Sequence, residues 1–177
     1  MRGFDGARDG VDISGSHITM KNVRTAGAAA STSAWSGEAL LLGGAVRVSA
    51  GPAFDGLVQL HADNANPILA LGDSLPKFLV GMLKAPDLSG QAEIAIEPGR
   101  MAIRDAHVRG GDVVLRASYV VAGDHARGAL TVAKGPVSAG VKIDDAGTHV
   151  HLFNLDTWMK EETGAALDVF RNAKAKY

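Results

Sequence analysis

From residue 88 to residue 153 the chain keeps a period of two, and this constrains its fold more than any other feature. The stretch reads as LSGQAEIAIEP, GRMAIRDAHVRGG, DVVLRASYVVAG, DHARGALTVAKG, PVSAGVKIDDAG and THVHLFN. Each piece alternates apolar with polar residues and ends in glycine or a polar turn. Ile94 and Ile96 fall on one side, with Glu93 and Glu97 on the other. Val113, Leu115, Tyr119 and Val121 alternate with Arg116 and Ser118. Val137, Ala139, Val141 and Ile143 repeat the pattern around Lys142, and Val150 and Leu152 continue it. Successive side chains of a strand point to opposite faces, so these segments predict consecutive antiparallel strands joined by tight turns. The expected architecture is a mainly β, curved antiparallel meander with one apolar face.

Composition supports a folded β domain. The 177 residues fit one domain with a substantial core, and 46% hydrophobic content excludes a disordered chain. Aromatics are only 5%, so the core must be Val, Ile, Leu and Ala; 22 glycines suit a protein of tight turns and bulges. A net charge of −1, with Arg104, Arg109 and Arg116 interleaved with acids, argues against a nucleic-acid surface. With no cysteine there is neither a disulfide framework nor thiolate chemistry. Met1-Arg2-Gly3-Phe4-Asp5 lacks the apolar core of a signal peptide, and no apolar run is long enough to span a bilayer. The sequence begins in mid-pattern and is expected to be a fragment of a longer protein.

Upstream, residues 1–10 are expected to be loose, and residues 11–24 to form one or two strands around Ser14-Gly15-Ser16. Residues 26–34 read as a loop or a close-packed strand. Gly43-Gly44, between the apolar runs of residues 35–50, predicts a hairpin of two strands. Residues 54–62 give another strand. Apolar residues at three- and four-residue spacing, from Ile68 to Leu83, predict a broken amphipathic helix over about 66–84. Asn66 and Ser74 are its expected caps, and Pro76 breaks it. A C-terminal helix is expected over about 156–175, capped by Asp156 or Thr157. It should dock through Trp158 and fray beyond Gly164.

Candidate chemistry is sparse. Gly72-Asp73-Ser74-Leu75 matches the nucleophile block of Gly-Asp-Ser-Leu hydrolases, where a histidine and an aspartate activate the serine. The Gly-x-Asn-Asp and Asp-x-x-His blocks that family needs are absent, so Ser74 reads as a helix cap, with the serine hydrolase as an alternative. His149 and His151 share a side at a spacing that suits a metal, but no third ligand stands nearby. Asp144-Asp145-Ala146-Gly147 reads as a hairpin turn. No catalytic residue, metal or cofactor is assigned.

The order of several short segments carries a resemblance. Asp63-Asn64-Ala65-Asn66-Pro67 leads into the amphipathic stretch. Leu88-Ser89-Gly90-Gln91-Ala92, Ala106-His107-Val108-Arg109-Gly110-Gly111 and Arg127-Gly128-Ala129-Leu130-Thr131-Val132 follow, then a late Trp158. Over most of residues 50–158 this resembles the C-terminal part of AsmA-like proteins of Gram-negative bacteria. The resemblance implies a long bent sheet with a hydrophobic groove, an inner-membrane anchor elsewhere in the chain, a periplasmic location, and phospholipid transfer toward the outer membrane. The expectation is a non-catalytic module in envelope lipid handling, its groove built from Ile94, Ile96, Val113, Leu115, Val121, Val141, Ile143, Val150 and Leu152. Lipid acyl chains are the expected partner, with envelope proteins possible and membrane contact confined to parts outside this chain. A β-sandwich that docks a protein through a strand edge is the alternative.

Overall fold

In a computed structural model the protein is described over residues 10–24, 34–47, 53–66, 77–83 and 87–172. Ten strands and two helices occupy these residues. The strands are β1 (Gly10–Asp12), β2 (His17–Val23), β3 (Trp35–Arg47), β4 (Ala53–Ala62), β5 (Leu88–Glu97), β6 (Arg100–Gly110), β7 (Val113–Ala122), β8 (His125–Lys134), β9 (Val137–Asp144) and β10 (Gly147–His151). Helix α1 (Lys77–Met82) lies between β4 and β5, and α2 (Leu155–Asn172) closes the described chain. All strands join one open, curved antiparallel sheet in the order β3 to β10, with β1 and β2 one after the other along the free edge of β3.

The meander over residues 88–151 forms as the alternation predicts, down to the two-residue turn at Asp145-Ala146. The upstream half corrects one expectation. Gly43-Gly44 does not turn the chain: β3 runs through both as a single 13-residue strand. A bulge falls between Leu41 and Gly43. Gly44 serves close approach, since a Cβ on it would stand 2.9 Å from the Gly56 Cα and 3.0 Å from the Phe54 ring, whereas one on Gly43 would meet nothing within 4 Å. Nor does Ser14-Gly15 turn the chain back: β1 and β2 run in the same direction along β3, and between them the Gly15 N–H donates to the Leu41 carbonyl at 2.7 Å and the Ser16 carbonyl accepts from Leu41 at 3.0 Å. Further bulges interrupt β2 between Met20 and Val23 and β6 between Ile103 and Ala106. Bulges bend a strand and increase its twist, which gives the sheet its curvature.

Among the described residues each face of the sheet carries one helix. On one face Leu79 and Leu83, both fully buried, join Leu88, Val113, Leu115, Leu130, Val132 and Val141 in the largest core cluster. These residues belong to the second half of the predicted broken helix; its first half, from Pro67 to Pro76, lies outside the described residues. On the opposite face Ala166, Val169 and Phe170 of α2 pack on Ala95, Ala102 and Val120.

Helix α2 corrects the second expectation. It begins at Leu155, with the Asn154 carbonyl accepting the Trp158 N–H at 3.0 Å, and runs past Gly164 to Asn172. Asp156 is free of capping duty and pairs with Arg116 at 3.1 Å. The helix does not fray because it is held along its length. Trp158 lies on Gly140, Glu162 receives Arg127 and Lys142, and Arg100 donates to the Phe170 carbonyl at 2.7 Å while its guanidinium stands 4.7 Å over the Phe170 ring.

Candidate functional site

Cross-strand partners in an antiparallel ladder share a face, so the register sorts every strand residue onto one of two surfaces. The partnerships Val46↔Phe54, Phe54↔Ile96, Ile96↔Met101, Met101↔Val121 and Val121↔Ala126 trace one row. Leu115↔Val132, Val132↔Ala139 and Val141↔Val150 lie on the same side. In this register Tyr119 and Lys134 are the face's only ionisable groups among the described residues. The opposite face is polar. All six histidines of the chain (His17, His61, His107, His125, His149 and His151) point there, with Arg100, Arg104, Arg116, Arg127 and Lys142. The unequal faces follow from the strict period of two, because a sheet without strand crossovers keeps its parity from strand to strand.

The apolar face is divided by α1. Val113, Leu115 and Val141, expected in an open groove, are buried in the cluster with Leu79 and Leu83 and form packed core. Ile94, Val121 and Ile143 are half-buried, while Ile96 and Val150 are exposed. Leu152 lies just beyond β10 and is exposed. The register places the eight strand residues of this set on one face. The expected groove left out four further exposed members of that face, Val11, Ile18, Leu60 and Val137. Their alternation was visible, but the side that Val11 and Ile18 share depends on the β3 bulge, which lies between their partners Val46 and Ala39. On the same face Tyr119 stands between Ile103 and Gly128, and burial pushes its phenol above the ordinary value, keeping it neutral.

The polar face offers less. His151 stacks on Trp158 with ring centres 4.8 Å apart, and His149 Nε2 lies 3.7 Å from Asp144 Oδ1, so the two histidines serve different neighbours. No group of three or more metal-capable side chains converges among the described residues. At one end of α2 an open cleft of about 550 Å³ is lined by His125, Arg127, Asp144, Asp145 and Asn172, among others. Here His125 Nδ1 meets Asp145 Oδ2 at 2.6 Å, while Asp145 Oδ1 accepts the Ala126 N–H at 3.1 Å. These bonds hold the Asp145 carboxyl below its usual range against a small opposing effect of burial. The pair resembles the orienting half of a catalytic triad, but no hydroxyl nucleophile lines the cleft among the described residues; it staples the β7–β8 turn to the β9–β10 turn. The pairing was readable in outline, since alternate turns of a meander meet at one end. Ser74 lies outside the described residues.

The fold and this surface define a class: an open, curved antiparallel sheet whose one apolar face is partly capped by a short helix. Comparison of the chain with models of known families, with curated proteins and with solved structures finds no match.

Proposed function

We propose that the protein is a non-catalytic module that shelters lipid acyl chains on the uncovered part of its apolar face. One observation carries the reading. Of the eight large hydrophobic strand residues that are exposed among the described residues, six (Val11, Ile18, Leu60, Ile96, Val137 and Val150) lie on the same face; only Val114 lies on the polar face, and Leu42 sits in the β3 bulge. Scattered apolar residues are ordinary on a protein surface, but a one-sided apolar surface marks an interaction. Each methylene moved from water onto it gains about 0.8 kcal/mol, with no need for specific polar contacts. The near absence of charge on this face, the neutral Tyr119 and the curvature of the sheet all suit an acyl chain. The resemblance to AsmA-like proteins supports phospholipid as the ligand, the periplasm as the location with an inner-membrane anchor elsewhere in the full-length protein, and envelope assembly as the process.

Lipid extraction and native mass spectrometry of protein purified without detergent test this directly. Phospholipid masses retained in stoichiometric amount are expected. A preparation that is folded and lipid-free, and that takes up no lipid from added vesicles, contradicts the reading and leaves the protein-docking edge as the function to pursue.

A further inference from the structure

Phe153 is 77% exposed, more than any other large hydrophobic side chain among the described residues, and its neighbour Leu152 is 56% exposed. They occupy the reversal between β10 and α2, two residues on from Val150 of the apolar face. This reversal is braced. His151 stacks on Trp158, the Asn154 carbonyl caps the first turn of α2, and Asn154 adopts a left-handed φ of 49° that fixes the bend. Exposure here is therefore built into the fold. The nearest charged side chain in sequence, Asp156, is paired with Arg116 at 3.1 Å, so the turn presents apolar groups with their neighbouring charge compensated.

We infer that the Leu152–Phe153 turn is a membrane-insertion tip that seats the end of the apolar face on a lipid bilayer. The inference rests on the acyl-chain reading, since its purpose would be to bring the surface within reach of the lipids it takes up. A bilayer fits better than a second copy of the chain. Pairing along β10 offers a ladder of only five residues, short of the roughly 1,200–2,000 Å² that a stable protein interface buries. Two apolar side chains on a braced turn, continuous with an apolar sheet face, match the way amphipathic surface elements enter the headgroup–acyl boundary. Insertion by this route is hydrophobic and depends little on anionic lipid or salt.

Flotation of the whole chain with vesicles of phosphatidylcholine, alone and mixed with phosphatidylglycerol, tests the tip. The wild-type chain should float with both, at low and high salt. Phe153→Ser should lower partitioning roughly tenfold or more, while retaining the circular dichroism of the fold and any lipid carried from purification. Phe153→Trp should keep binding and gain a blue-shifted emission on vesicle addition. Wild-type protein that stays in solution, or a Phe153→Ser variant that floats equally well, overturns the tip. So does a concentration-dependent dimer that only Phe153→Ser dissolves, which would assign the turn to protein contact. Lipid retained with indifferent flotation sinks the tip alone; flotation without retained lipid sinks the acyl-chain reading alone.

Discussion

At Gly140 a Cβ would stand 2.5 Å from Cζ3 of Trp158 and 3.1 Å from Cδ2 of Leu155. At Gly164 it would meet nothing within 4 Å. The same substitution should therefore act with opposite sign at the two positions. Gly140→Ala forces the indole off the sheet and is expected to cost about 1–3 kcal/mol. Gly164→Ala removes backbone freedom inside α2 and should gain about 0.5–1 kcal/mol. Urea unfolding with both variants checks this, and equal signs would contradict the docking of Trp158 on Gly140. Among the carboxylates, Asp12 is held below its ordinary value by the Ser14 hydroxyl and N–H. At Asp144 burial pushes upward but is outweighed by Lys142, the Ala146 N–H and His149; at Asp145 the His125 and Ala126 bonds dominate. A depressed folded pKa adds stability that is fully present above 3.8 and is lost as pH falls through the lower folded value. Carboxyl carbon NMR titration should place all three midpoints below 3.8; a midpoint at or above it at Asp145 would remove the turn staple.

At the scale of the element, α2 shows what the sequence concealed. Its stripe of Trp158, Ala165, Ala166, Val169 and Phe170 was legible, yet Gly164 and the polar surroundings suggested an early end. The helix continues because its receiving surface is made of small residues on the polar side of strands whose large residues face away: Ala95, Ala102 and Gly140. Such a surface appears only once the register is known. Ion pairs complete it, with Glu162 receiving Arg127 at 3.1 Å and Lys142 at 3.5 Å in a mostly buried position. Glu162→Ala takes the carboxylate from Arg127 and leaves Lys142 with Asp144 alone, and is expected to destabilise the protein by about 1–3 kcal/mol, between the limits for exposed and buried pairs. Thermal unfolding measures the loss, and a change near zero would mean that α2 is held by packing alone. The Gly43-Gly44 misreading has a related cause. A hairpin and a bulge both favour glycine between apolar runs, and only the partner strand, with Gly56 and Phe54 opposite Gly44 and Val46, decides between them.

For the whole molecule, alternation made the β architecture and its apolar side legible, because parity propagates through a meander with no crossover. The division of that side into packed core and open surface was not legible. It depends on where Leu79 and Leu83 come down, which no periodicity within the strands encodes. Val113 and Ile96 look alike in sequence; one lies in the cluster with Leu79 and Leu83, and the other faces water. On the proposed function, the exposed apolar residues of this one face hold lipid. The most direct measurement compares the phospholipid retained by Ile96→Asp with that retained by Val114→Asp, two exposed hydrophobic positions on opposite faces of the same sheet. Ile96→Asp should lose most of the bound lipid while Val114→Asp, equally folded, keeps it. Equal retention by the two, or greater loss from Val114→Asp, would contradict the proposed function.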